Sequence, residues 1–150
     1  MPDDERLQLL AGLLPILEAP GADFGSWEVP APRDGVGSLG YYVFGPGGEA
    51  FLTAVRQGGW VVAGFDWRTW LEGPEGRRFR TDPETVATAT PEQLAFLLTA
   101  IVRSDRFVEG SVAGAFESGL LARIAHRAAA LATSRSCRTR PTTSPSPRPP

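Results

Sequence analysis

Lysine is missing from this chain: all 15 basic side chains are arginine. A GC-rich coding composition accounts for that more simply than function does. Cysteine occurs once, at Cys137, so no disulfide forms within the chain and no cysteine metal cluster is available. Histidine also occurs once, at His126. No apolar run approaches the roughly 18 residues a membrane helix needs. The start, MPDDERLQ, is acidic and lacks the basic and apolar regions of a secretory leader. These absences exclude a membrane span and set the expectation of a cytoplasmic protein. The phosphate-loop, G-x-S-x-G and H-E-x-x-H patterns are missing as well. No catalytic residue, metal or cofactor is therefore assigned from the sequence.

What is present fits one domain of ordinary size. Of the 150 residues, 42% are hydrophobic, and four Trp and eight Phe supply large apolar surfaces. Charge divides the chain. Residues 1–132 hold all 17 acids and 11 arginines, a net of −6; residues 133–150 hold four arginines and no acid, a net of +4. The segment TSRSCRTRPTTSPSPRPP has no large apolar side chain and reads as a disordered tail. The sequence thus predicts a helical domain over 1–132 and a tail over 133–150.

The domain reads as mainly α: a small helical bundle of five to seven helices with a Gly/Pro-rich wrap and at most one short strand pair. A first helix is expected over 4–18, with Leu7, Leu10, Leu14 and Leu17 inward and a kink or a restart at Pro15. Residues 19–48 read as the wrap. YYVF (41–44) and WVVAGF (60–65) are weak strand signals, with a short helix between them. GPEGRRFR (73–80) reads as a loop, and TDPETVATA (81–89) as a helix of one or two turns. Thr90, Pro91 and Gln93 form a capping box before the stripe Leu94, Leu97, Leu98, Ile101 and Val102. Continuing that helix would bury Asp105 alone, so Asp105 is expected to cap a new helix over 106–118. Val108, Val112, Ala115 and Phe116 should face inward from it. Gly110 and Gly114, flanked by Ser111 and Ser118, suggest close backbone approach. A last helix follows Gly119. The last three helices are expected to form the core, with the tryptophan segment packed on them.

Four clusters stand out. Thr99, Arg103, Asp105, Arg106 and Glu109 place four charges directly after the longest apolar helix. Their ordinary role is a set of charge-assisted bonds that joins two helices and clasps the segments before them. The sharper alternative is a carboxylate and guanidinium site. Asp66, Trp67 and Trp70 form the second cluster: a cap with core aromatics, or a platform for stacking a ring. His126 lies between Arg123 and Arg127 with no carboxylate nearby in sequence, and reads as a solvated face. A minor alternative joins those arginines to Arg135, Arg138 and Arg140 as a basic strip. GPGG (45–48) is a weak anion-nest signal.

FGSW (24–27), FDWRTW (65–70) and LLTAIVRSDRFVEGSVAGAFESGLL (97–121) resemble an uncharacterised family of small bacterial proteins, a domain of unknown function. The similarity spans most of 5–131. Its most specific piece is T-x-x-x-R-x-[DE]-R-F-x-E-G, matched by Thr99, Arg103, Asp105, Arg106, Phe107, Glu109 and Gly110. The resemblance implies a stand-alone helical domain and transfers no reaction. The leading expectation is a non-enzymatic accessory or protein-interaction domain with a protein partner. The alternatives are a small-ligand binder or enzyme built on the charged cluster, and nucleic-acid binding through the C-terminal arginines.

Overall fold

Pro15 divides the N-terminal segment. In the computed structural model, which describes residues 1–138, helix α1 (Asp3–Ala11) ends before it and α2 (Leu14–Leu17) restarts with the proline in its first turn. A proline there has no amide to leave unpaired. Of the kink or restart expected at Pro15, the restart forms, after a break at Gly12 and Leu13. Leu7, Leu10, Leu13 and Leu17 are all buried.

The wrap has more order than its composition suggests. A short helix α3 (Gly21–Phe24) buries Phe24. Strand β1 (Gly25–Glu28) then pairs antiparallel with β2 (Tyr41–Phe44), with Gly25 opposite Phe44 and Trp27 opposite Tyr42. Between the strands, Arg33 and Val36 bridge across Asp34 and Gly35, both at positive φ (53° and 75°). That is the Asp-Gly turn a tight hairpin favours. The partner of 41–44 is thus 25–28. The other strand signal, 60–65, is an irregular segment, because side chains from elsewhere take its backbone groups.

Helix α4 (Pro46–Gln57) follows, with Phe51, Leu52, Ala54 and Val55 buried. Then come α5 (Trp67–Glu72), α6 (Pro74–Thr81) and α7 (Glu84–Ala87). Helix α6 replaces the predicted loop. Proline takes its first position, Phe79 is buried, and Gly76 lies against the backbone of Trp70 and Leu71, where a β-carbon would collide. Helix α8 (Pro91–Ser104) carries the predicted capping box and the buried Leu94, Leu97, Leu98 and Ile101. Helix α9 (Ser111–Glu117) starts five residues later than expected, and α10 (Leu120–Arg138) runs past Ala132. Among the described residues the helices are thus more numerous than predicted, with α9 shorter and α10 longer. Residues 133–138 are helical, and Arg135 reaches Asp3 Oδ2 at 3.2 Å and Asp4 Oδ1 at 3.6 Å. The rest of the predicted tail, with Arg140, lies outside the described residues.

The core is not confined to the last three helices. Helix α10 packs along α1, and α4 adds Phe51 and Val55 to the same cluster. Trp60 is the largest fully buried side chain. Its indole Nε1 donates to Arg6 O at 3.3 Å, and the Arg6 guanidinium lies 4.2 Å above the ring. Arg6 also donates to Gly58 O (2.7 Å) and Gly59 O (3.2 Å), fixing the turn before the tryptophan. A small mainly helical domain with one two-stranded sheet results. Among the described residues no helix is long and apolar enough to cross a membrane.

Trp60→Ala should cost about 3–5 kcal/mol in a urea melt, the range for deleting a buried aromatic. A loss under about 1 kcal/mol would mean that Trp60 does not anchor the core.

Candidate functional site

The end of α8 faces three stretches of backbone that no regular partner satisfies. Each buried amide or carbonyl there needs a hydrogen bond. Thr99, fully buried, accepts from Val62 N–H at 2.9 Å. Its own proton lies within reach of Ala95 O (2.7 Å) and Trp60 O (3.2 Å). One turn on, Arg103 donates from Nη2 to Val62 O at 3.1 Å. Residues 60–62 are thus fastened to α8 on both sides of the Val62 residue.

Asp105 turns the chain. It is the C-cap of α8, and its Oδ1 accepts from Gly110 N–H (3.2 Å) and Val112 N–H (3.1 Å). The sequence expectation was a cap on a helix beginning at 106. Instead the carboxylate spans the turn and satisfies the first amides of α9. Gly110 makes the turn possible. Its φ is +92°, and a β-carbon there would lie 2.5 Å from Trp27 Cη2. A side chain at 110 is therefore strained by conformation and would displace the Trp27 ring. Glu109 Oε1 accepts from Tyr42 N–H at 3.1 Å, which ties β2 to the turn. Burial, and secondarily the Glu117 carboxylate, hold the Tyr42 phenol above its ordinary pKa.

The cluster of four charges therefore forms no ion pair within itself among the described residues. Arg103, Asp105 and Glu109 each bind a different backbone segment, and Arg106 is exposed. The predicted clasp on the preceding segments forms, but its charged side chains bond to main chain rather than to one another. Val108, expected inward, is 66% exposed, as is Phe107.

The tryptophan cluster also separates. Trp70 packs against Phe65, Phe79 and Phe96 and donates from Nε1 to Glu75 Oε2 at 3.2 Å. Trp67 lies 6.1 Å from the ring of Phe107, and the Arg68 guanidinium covers that phenyl at 4.3 Å. The two indoles do not share a platform. Asp66 caps α5, accepting from Thr69 N–H (3.2 Å) and Thr69 Oγ1 (2.7 Å). Those bonds, the hydroxyl's first, hold its carboxyl below the usual aspartate range.

Two other sequence signals resolve differently. In GPGG, Gly47 and Gly48 are buried against Asp23 O and Phe24 O, so α3 fills the concavity an anion would need. Gly114 has nothing near its β-position: it opens onto a groove of about 290 Å³ with Leu71, Leu97, Ile101 and Leu120. The backbone approach expected there occurs at neither glycine; Gly110 meets the side-chain ring of Trp27 instead. His126, read as unpartnered, meets Glu18 Oε1 at 2.6 Å across 108 residues of sequence. No local spacing signals that pair. Among the described residues, no group of three or more His, Cys, Asp or Glu is placed to hold a metal ion.

Fold and site together define a mainly helical domain whose most distinctive side chains brace its own backbone. The chain belongs to the Family of unknown function (DUF6508), whose profile matches residues 2–134. No curated protein and no solved structure matches it.

Thr99→Val removes the acceptor for Val62 N–H and the proton within reach of Ala95 O and Trp60 O, while keeping the volume. It should cost about 1–3 kcal/mol in chemical denaturation, with Thr99→Ser milder. Equal losses for the two variants would show that the hydroxyl is not the reason. For Asp66 the depressed pKa fixes the sign. Its stabilisation of α5 is complete above the ordinary aspartate range and fades as pH falls through the lowered value. A carboxyl-detected NMR titration should place Asp66 below an exposed aspartate, and a normal midpoint would refute the cap.

Proposed function

We propose that this is a non-enzymatic, cytoplasmic protein-interaction domain, and that the turn at 105–110 presents its contact surface. One observation carries the reading: Phe107 and Val108 are each 66% exposed in a turn held at both ends. An exposed apolar pair on a mobile loop is ordinary. Here Asp105 and Glu109 bond to main chain on either side, and Trp27 rests on Gly110. The display is pre-organised, so little ordering entropy opposes docking. Trp67, Arg68 and the half-exposed Trp27 adjoin it. Aromatic and arginine side chains are the usual anchors of protein interfaces.

The enzyme or ligand-site reading of the same charged residues has less support. Thr99, Arg103, Asp105 and Glu109 each have a polar side-chain atom bonded to backbone, which favours bracing over chemistry on a substrate.

The double substitution Phe107→Ser with Val108→Ser tests the proposal. The thermal midpoint should move little, because neither side chain is buried. Self-association or capture of a protein partner, read by light scattering after size exclusion and by cross-linked pull-down, should be lost. Binding unchanged in the double variant, or a wild-type protein that is strictly solitary, would contradict the proposal.

A further inference from the structure

The side of α10 facing α7 holds a second feature, remote in sequence from the turn at 105–110. Between the two helices lies a cavity of about 270 Å³ bordered by Glu84, Ala87, Arg123, His126, Arg127 and Ala130. The two arginines stand one turn apart on α10. Each is held by a single bond to a carbonyl: Arg127 Nε to Ala89 O at 2.8 Å, and Arg123 Nη1 to Ser118 O at 3.4 Å. Neither has a carboxylate within ion-pair distance among the described residues. The Arg123 Nε is buried with no hydrogen-bond partner. His126 borders the same cavity, with Nε2 fixed by Glu18 at 2.6 Å.

We propose that this cavity binds a small carboxylate with a short apolar body. Two guanidiniums offer the planar donor pairs that match a carboxylate, and a carbonyl bond already orients each one. Glu84 in the lining leaves a local balance near one positive charge from the arginine pair. That suits a monoanion better than a phosphate dianion, which Glu84 would repel. Ala87 and Ala130 provide the apolar wall. The site is independent of the interaction surface proposed above, and either can fail without the other.

The test is an NMR titration of the full chain with benzoate, its neutral isostere benzamide and inorganic phosphate, at constant ionic strength. The His126 ring protons and the Ala130 methyl are the reporters. Benzoate should give saturable shifts, with benzamide binding about tenfold more weakly or worse. Arg123→Gln and Arg127→Gln should each weaken benzoate by a similar factor. Because Arg127 also ties α10 to Ala89, Arg123→Gln serves as the second variant if Arg127→Gln fails to fold. Absence of saturable shifts, equal binding of benzamide, or benzoate affinity unchanged in Arg123→Gln would overturn the site. Tighter binding of phosphate than of benzoate would overturn the ligand class.

Discussion

Unpaired backbone is the constraint that shapes this protein. With one four-residue strand pair, long stretches between helices have no ladder to satisfy their amides and carbonyls. The end of α8 meets that demand. Within eleven residues, Thr99, Arg103, Asp105 and Glu109 reach the 60–62 segment, the start of α9 and strand β2. Bonds of this kind gain from one charged partner without the desolvation of a buried ion pair. The end of α8 and the turn that follows it thus set the positions of three other segments.

The consequence reaches the surface. Because Asp105 and Glu109 are committed to main chain, the turn they flank is held in shape, and Phe107 and Val108 are held outward with it. Gly110 completes the turn in two ways. It adopts a left-handed conformation and gives the Trp27 ring a flat seat. Removing its freedom would disturb both the turn and the hairpin that carries Trp27. Bracing and display are therefore one structural device.

Local signals in the sequence were legible where the physics is local. The Thr90–Gln93 capping box, the Asp66 cap and the apolar stripe of α8 depend on neighbours within a few residues, and all three form. Helix α6 was missed because its buried pattern rests on only Phe79 and Gly76 among charged residues. The 105–110 turn was missed because Val108, Val112, Ala115 and Phe116 keep helical spacing. Only the left-handed Gly110 interrupts it. Glu109 with Tyr42, and His126 with Glu18, lie 67 and 108 residues apart, beyond any periodicity. The charged cluster was visible as a cluster, but its partners were not, since main chain carries no sequence signature.

Amide hydrogen exchange at Val62 probes the central claim most directly. Val62 lies in no helix or strand, so an unbraced amide there would exchange at the rate of a solvent-exposed loop. Bonded to the buried Thr99 hydroxyl, it should exchange slowly in the wild-type protein and speed up sharply in Thr99→Val, while amides in α1 change little. Loop-like exchange of Val62 in the wild type would contradict the account.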